Sequence, residues 1–526
     1  MSRDIEKTDT REQLEDLSAL KHVDTVHDDQ ALKIIAAYQG ADAEWTPEEE
    51  QKLVRKIDFK LVPLMFITYG LIYYDKSMLS SAALFGLRKD LALTGNRYSM
   101  SSSIFYLGAI AGALPAALLA QRFPVERVAA GLICLWGLNI ILTIECTDFK
   151  TLYVNRFFLG FLEAGLSPML MIIVASFYKK TEQPLRLGSW WSAAGFISMF
   201  APLVNYGFGH VKAALSPWKY MYIFAGSLTV VWGIVILLFL PPEPIHAKGF
   251  TERERYIAVA RLRVNNAGIR NSHLKPAQVL EALTDIKFWL VFFCAFCIMI
   301  ANGPLSTYLP IIIAGFGYSP LNSLLLTMPA GFVAGTCTLL STYLAGKLSR
   351  RGGRSYVVVL FQFLVILGAL LMWRLPHSNK AGGLAGLYLL ASFAAPYGVI
   401  MSLQAANTAG YTKKTVTSSG LFMGYCLGNF AGPLLFRPQD APQYEPGWQA
   451  VVITAFIALG LIVAYRFVCV LYNKKRNEAG IAEGVDHAFE DDLTDLKVTS
   501  CPNSTSYSAA ADNSFRRTSS SATRSK

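Results

Sequence analysis

The chain is short of charge: 16% of its 526 residues are Asp, Glu, Lys or Arg, against roughly 25% in an ordinary soluble domain. That deficit excludes a disordered chain, a nucleic-acid-binding domain and most soluble enzymes. Histidine is scarce, at 7 residues. With it go the His-rich boxes, metal-ligand spacings and Ser/His/Asp sets of an integral-membrane enzyme, so no enzyme, cofactor or metal site is expected. Cysteine number is modest, at 8, and most lie within apolar runs. Only Cys146 falls near an expected outer face, which leaves a disulfide framework without a second partner. Cys294 and Cys297 form a CxxC inside the run FWLVFFCAFCIMI, where helix packing is the expected role. No cleavable signal peptide is visible, because the first 55 or so residues are polar and charged.

What is present is apolar length: 53% of residues are hydrophobic. A hydrocarbon core about 30 Å thick takes roughly 20 apolar residues per helix. On that template about twelve spans are expected, at 61–84, 99–120, 128–146, 151–177, 187–209 and 218–240, then 287–313, 321–348, 355–375, 382–407, 415–436 and 449–472. The fold expected is therefore all-α and polytopic, with twelve transmembrane helices in two six-helix bundles embedded in a lipid bilayer. Residues 1–45 read as a flexible cytoplasmic tail, 46–240 as the first bundle and 241–286 as a cytoplasmic central loop. Residues 287–475 read as the second bundle and 476–526 as a disordered cytoplasmic tail.

Two capping boxes punctuate this plan. Thr46-Pro47-Glu48-Glu49 opens the helix that enters the first span, and Thr251-Glu252-Arg253-Glu254 opens a basic amphipathic helix through about Val264. Lys and Arg placement favours both termini inside. The short inner loops hold eleven basic residues against nine outside, and the N-terminal flank, the central loop and Lys474-Lys475-Arg476 add to the inner side. The same placement explains the net charge of +11 without a nucleic-acid partner. The sequon Asn503-Ser504-Thr505 then lies in the cytoplasm, and Arg516-Arg517-Thr518-Ser519 resembles a basophilic kinase site.

Ionisable residues inside spans are costly and mark function by default. Three places stand out: Asp75-Lys76 in the first span, Arg156 with Glu163 in the fourth, and Gln404, Asn407 and Thr412 at the end of the tenth. Arg156 and Glu163 are two turns apart and share one face of a helix, some 10 Å from each other. They could be structural ion pairs, Asp75 with Lys76 or Arg156 and Glu163 with whichever base remains. They could equally couple transport to protons, since a half-desolvated carboxyl titrates closer to neutral pH and a buried cation can hold an anion. One basic residue beside two carboxylates suits a proton-coupled carrier of anions better than a pore, which needs rings of like groups. Gly420, Gly424, Gly428 and Gly432 form a stripe that allows close helix approach. Trp190, Trp191, Tyr308 and Tyr425 are candidates to line a cavity, and Pro115, Pro168, Pro202, Pro310, Pro329 and Pro396 allow bends.

These pieces resemble the major facilitator superfamily and, within it, the anion:cation symporters and fungal allantoate-permease-like transporters. The resemblance rests on Arg55-Lys56-Ile57-Asp58 with Pro63, Tyr74-Asp75-Lys76, and RFFLGFLEAG from Arg156 to Gly165 with Pro168 and Tyr178. It continues in Thr307-Tyr308-Leu309-Pro310, the run from Ala406 to Lys413, Gly428-Asn429, Gly432-Pro433, Ala441-Pro442-Gln443-Tyr444 and Gly447. The resemblance implies proton-driven uptake of a small organic anion by alternating access, by a protein working as a monomer in the plasma membrane. It assigns proton coupling to Asp75 and Glu163, with Arg156 as a partner of Glu163. It makes Lys76 the link between protonation and substrate, and Asn407 a substrate contact. Gln404 and Tyr308 complete the expected binding set. Export of a carboxylated metabolite, or a non-transporting receptor on the same fold, are the alternatives.

Two departures matter. Many relatives carry arginine where this chain has Lys76, and a lysine is a point charge rather than a bidentate fork. The loop motif of the superfamily survives after the eighth span as Gly346, Arg351, Gly353 and Arg354, with Arg350 in place of its aspartate. In the first half it is worn to Gln121-Arg122, where Glu126 could supply the acid.

Overall fold

The computed structural model describes residues 45–479 apart from 180–181, 212–213, 242, 245–246, 248, 263–274, 350–352 and 377, together with Thr494. The tails, with Cys501, the sequon and Arg516–Ser519, lie outside the described residues, as do Arg350, Arg351 and the stretch beyond Leu262 expected to finish the amphipathic helix.

The first half holds six long helical passages. They are α1 (Pro47–Leu84), α2 (Arg97–Arg122), α3 (Val125–Leu142), α4 (Phe149–Phe177), α5 (Gln183–Gly209) and α6 (Pro217–Phe239). Two short helices follow, α7 (Glu252–Ala260) and α8 (Pro276–Thr284). The second half holds α9 (Ile286–Gly315), α10 (Pro320–Leu348), α11 (Arg354–Arg374), α12 (Lys380–Ala406), α13 (Tyr411–Leu434) and α14 (Glu445–Ala479). No β-strand occurs among the described residues.

Ten of these passages are long and apolar enough to cross a membrane. α5 and α13 have the length, at 27 and 24 residues, but open on polar turns. Both expected capping boxes form: the side chain of Thr46 accepts from the Glu49 N–H, and that of Thr251 from the Glu254 N–H. α1 runs unbroken for 38 residues, about 57 Å at 1.5 Å per residue. It therefore overshoots a hydrocarbon core of about 30 Å and projects its first turns beyond the bilayer.

Several expected spans are interrupted, and proline explains where. A proline at position i withholds its N–H from the carbonyl at i−4 and crowds that carbonyl. α4 breaks at Ala164 and Gly165, ahead of Pro168. α9 breaks at Ala301, ahead of Pro304, and α10 at Leu326 and Thr327, ahead of Pro329. α12 passes through one 3₁₀ turn at Ala391–Phe393, ahead of Pro396.

Within the first half α2 packs on α4, α3 on α6 and α1 on α5; within the second, α9 packs on α13 and α14, and α11 on α12 and α14. Glycine permits the closest approaches. A Cβ on Gly160 would stand 1.9 Å from the Phe105 carbonyl oxygen, and one on Gly428 would stand 2.4 Å from that of Phe296. The stripe from Gly420 to Gly432 thus faces α9. The halves meet along α5–α10, α2–α13 and α1–α9. At the first of these seams a Cβ on Gly195 would lie 2.3 Å from the Gly335 Cα, so backbone rests on backbone.

On the face that carries both ends of the passages, α7 is pinned to the first half. Glu254 binds Lys56 at 2.7 Å, Arg253 binds Glu49 at 3.2 Å, and Arg261 reaches Glu182 at 3.2 Å. Lys179 pairs with Glu50, and Arg186 makes a two-point contact with Asp58 at 3.0 and 2.8 Å. Glu126 is buried at the start of α3, and Arg354 donates to the Ser402 carbonyl at 3.3 Å. Cys294 and Cys297 are free thiols buried in α9.

Candidate functional site

Consecutive residues on a helix point about 100° apart. α1 therefore sends Asp75 and Lys76 in different directions. Asp75 turns into the first half, 1% exposed, where Trp136 Nε1 of α3 donates to Oδ2 at 3.3 Å; its Oδ1 is buried without a protein hydrogen-bond partner. Lys76 turns towards the seam between the halves. Its Nζ lies 2.7 Å from Glu163 Oε1 of α4 and sits over the rings of Tyr73 and Phe105, at 5.0 and 5.5 Å. Glu163 Oε2 is buried and has no protein partner.

The shared face of Arg156 and Glu163 does not bring them into an ion pair. Lys76 reaches Glu163 from the neighbouring helix, whereas Arg156 donates to the Tyr222 hydroxyl of α6 at 2.5 Å and contributes positive charge towards Asp75. Two linked polar clusters result, Lys76–Glu163 beside the seam and Asp75–Trp136 with Arg156–Tyr222 behind it.

Lys76 opens onto a central cavity with an empty volume of about 1180 Å³ that includes its mouth. Lys76 is the only charged side chain among the described residues that line it. Six aromatic residues shape the walls: Tyr73, Tyr106, Trp191, Phe393, Tyr397 and Tyr425. Trp191 stacks between Tyr69 and Tyr397, at centroid distances of 5.2 and 6.4 Å, and Tyr106 meets Tyr425 edge-on across the seam at 6.2 Å. Small polar groups, Ser77, Ser80, Ser198, Asn302, Ser306 and Thr327 among them, share the lining with apolar side chains.

Away from the terminal face the cavity is closed by hydrogen bonds between α2 of the first half and the second half. Tyr98 donates to the Thr307 carbonyl at 2.7 Å, Ser99 and Tyr308 share a bond of 2.5 Å, and Ser102 meets the Thr307 hydroxyl at 2.7 Å. Ser103 donates to the Phe430 carbonyl at 2.7 Å, and within the second half Tyr308 donates to the Phe436 carbonyl at 3.0 Å.

The remaining candidates for substrate contact, Tyr308, Asn407 and Gln404, lie outside the cavity wall. Tyr308 belongs to this seal, 1% exposed, near the end of α9 away from the terminal face. Asn407 closes α12 at the terminal face, donating to the Leu403 carbonyl at 3.0 Å and the Tyr465 hydroxyl at 3.2 Å. Gln404 is buried and takes Ser418 Oγ at 3.3 Å. Trp191 and Tyr425 line the cavity, while Trp190 packs edge-on against Tyr69 at 4.6 Å. Sequence reasoning missed Ser77 and Ser80, although Ser80 follows Lys76 by one turn on the same helix face. Tyr73, Tyr106 and Tyr397 carried no signal that set them apart from other aromatic residues in spans.

Comparison with known proteins agrees with this architecture. The Major Facilitator Superfamily profile matches residues 65–433. The chain is 34% identical over 475 residues to the MFS-type transporter cnsL of Penicillium expansum, covering 89% of this chain and 91% of that one. It is 32% identical over 483 residues to the allantoate permease of Saccharomyces cerevisiae, covering 89% of each. The xylose transporter XylE from E. coli, in a partially occluded inward-open conformation, superposes with a TM-score of 0.58 at 15% identity, over 76% of this chain and 96% of that one. The chain therefore belongs to the Major Facilitator Superfamily, as a multi-pass membrane transporter of the alternating-access fold and not an enzyme.

Proposed function

We propose that this transporter takes up a small organic monoanion together with a proton, and that the Lys76–Glu163 pair is where the two are coupled. The observation that carries the reading is that Lys76, the one charge on the described cavity wall, is bound to a carboxylate behind it. In the empty site the pair is neutral overall. A substrate carboxylate that approaches Lys76 competes with Glu163 for the same ammonium. When Glu163 takes a proton, Lys76 is released to the substrate and the site is neutral again. Keeping the site neutral matters, because an uncompensated charge in a low-dielectric interior is costly to carry. A dianion would leave one charge unbalanced, which is the argument for a monoanion. The six aromatic residues favour a planar or partly apolar body beside that charge.

In this reading Asp75, near Arg156, is a second proton carrier behind α1, and Asn407 and Gln404 act on the terminal face where substrate leaves or enters. The bundles 46–240 and 287–475 rock about the seam. The relationship to an allantoate permease supports an anion of that size, and plasma-membrane placement follows from uptake.

The test is uptake of labelled monoanions, allantoate and aromatic monocarboxylates among them, by cells making the protein at external pH 5 and pH 7, with Glu163→Gln alongside. Saturable uptake that is faster at pH 5, with the pH dependence lost in Glu163→Gln, is expected. Faster loss of preloaded anion with no uptake would overturn the direction in favour of export. Unchanged pH dependence in Glu163→Gln would overturn the coupling site.

A further inference from the structure

The terminal face of the second half carries a built socket that transport does not explain. α8 lies across the start of α13: Gln278 Oε1 accepts from the Lys413 N–H at 3.1 Å, and the Lys275 N–H donates to Thr412 Oγ1 at 3.1 Å. Lys413 is 1% exposed and its ammonium bridges Glu281 Oε1 at 3.0 Å and Asp285 Oδ2 at 2.9 Å. One oxygen of Glu281 is left for another donor, and Thr494 supplies it.

Thr494 lies fifteen positions beyond the end of α14 at Ala479, a tether that reaches roughly 50 Å when extended. It is 1% exposed, and its hydroxyl donates to Glu281 Oε2 at 2.9 Å. Its Cγ2 stands 3.0 Å from the place a Cβ on residue 410 would take. Gly410 leaves that space and also holds a φ of +87°, a left-handed backbone that favours glycine. Burial, a hydroxyl–carboxylate bond and a fitted methyl group coincide at this one residue.

We infer that the C-terminal segment of this chain docks on the second half through Thr494, in the socket of Glu281, Gln278, Gly410 and Lys413, and that negative charge placed on Thr494 releases it. Glu281 and Asp285 already share Lys413. Lys287 Nζ also lies 3.5 Å from Asp285 Oδ2, so a third acid at the position of the hydroxyl would set three carboxylates against two ammoniums, and like charges at such distances repel. The inference stands on this socket alone and is independent of what the cavity carries.

Hydrogen exchange of the full-length protein in lipid nanodiscs, read by mass spectrometry, tests it. In the unsubstituted chain residues 490–497 should exchange at least tenfold more slowly than 505–526. Thr494→Glu should bring 490–497 to the rate of the distal tail and speed exchange in 276–284, leaving α11 unchanged, whereas Thr494→Ser should keep the protection. A chain ending at Phe489 should speed 276–284 by the same factor as Thr494→Glu, which separates release of the segment from damage to the fold. Rapid exchange of 490–497 in the unsubstituted chain, or protection that survives Thr494→Glu, would overturn the docking.

Discussion

The two halves share a helix plan but spend their buried charge differently. The first half sets Asp75, Lys76, Arg156 and Glu163 in the middle of its bundle. The second half gathers Glu281, Asp285, Lys287 and Lys413 at the terminal face, and its described residues meet the cavity with uncharged side chains alone, Asn302, Ser306, Tyr397 and Tyr425 among them. One half brings a charge to the cavity wall, and the other faces that charge with neutral groups. The contrast follows from cost. A charge in mid-bundle has no water to relax into and persists only when paired and useful, whereas a charge at a helix end can be held by caps and loop helices.

The sharpest way to break the contrast is to remove a mid-bundle charge. Lys76→Met should abolish uptake and lower stability by about 3–5 kcal/mol, the usual loss when one partner of a buried pair is left alone. Lys76→Met with Glu163→Gln should regain most of the melting temperature and none of the transport. A double variant that transports with pH dependence would remove the Lys76–Glu163 pair from coupling. Asp285→Asn should be the mirror image, a lower melting temperature with an unchanged pH profile of uptake.

A smaller effect probes what the halves share. Gly160→Ala and Gly428→Ala each place a methyl group against a carbonyl oxygen, at 1.9 and 2.4 Å before relaxation. Each should cost about 1–3 kcal/mol, as overpacking does, read as a drop in thermal midpoint. Loss in only one variant would show that the two glycine seams differ in rigidity. At the outer seal, Ser99→Ala removes a hydrogen bond worth about 1 kcal/mol. It should raise labelling of a cysteine placed at Ser306 by an external thiol reagent several-fold.

The smallest effect concerns α7. Burial alone would raise the Glu254 carboxyl, but the Lys56 ammonium and the Thr251 cap outweigh it and hold the group below its ordinary value of 4.5. A carboxyl depressed in the folded state stabilises above 4.5 and loses that contribution as pH falls through the lower folded value. The attachment of α7 should therefore be unchanged between pH 7 and pH 5 and weaken only in stronger acid. Exchange in 252–260, corrected for the intrinsic rate, checks this, and release already at pH 6 would contradict it.

Much of the plan was legible because its signals are local. Apolar length fixed the spans, Thr46 and Thr251 announced their helices, and a four-residue glycine period revealed the α13 seam. The misplacements came from questions that one chain leaves to tertiary packing. The family resemblance joined Arg156 to Glu163, while the residues alone left Lys76 or Arg156 open as its partner, and packing brings the lysine of another helix to it. Tyr308, Asn407 and Gln404 are polar residues in or near spans, but depth along the helix decides whether such a group meets cavity, seal or water. Proline named the breaks in α4, α9, α10 and α12, while Pro63, Pro115, Pro202 and Pro433 are absorbed without one, a difference set by neighbours rather than by the residue.

The contact of Gly195 with Gly335 has a mechanical consequence. Where side chains interlock, two bodies must climb over one another to turn, and each tooth adds a barrier. Where bare backbones touch, the same turn only rolls one smooth surface along another. This seam at the edge of the cavity is therefore built as a bearing, and bulk added there should slow the swing between orientations while leaving the grip on the passenger intact.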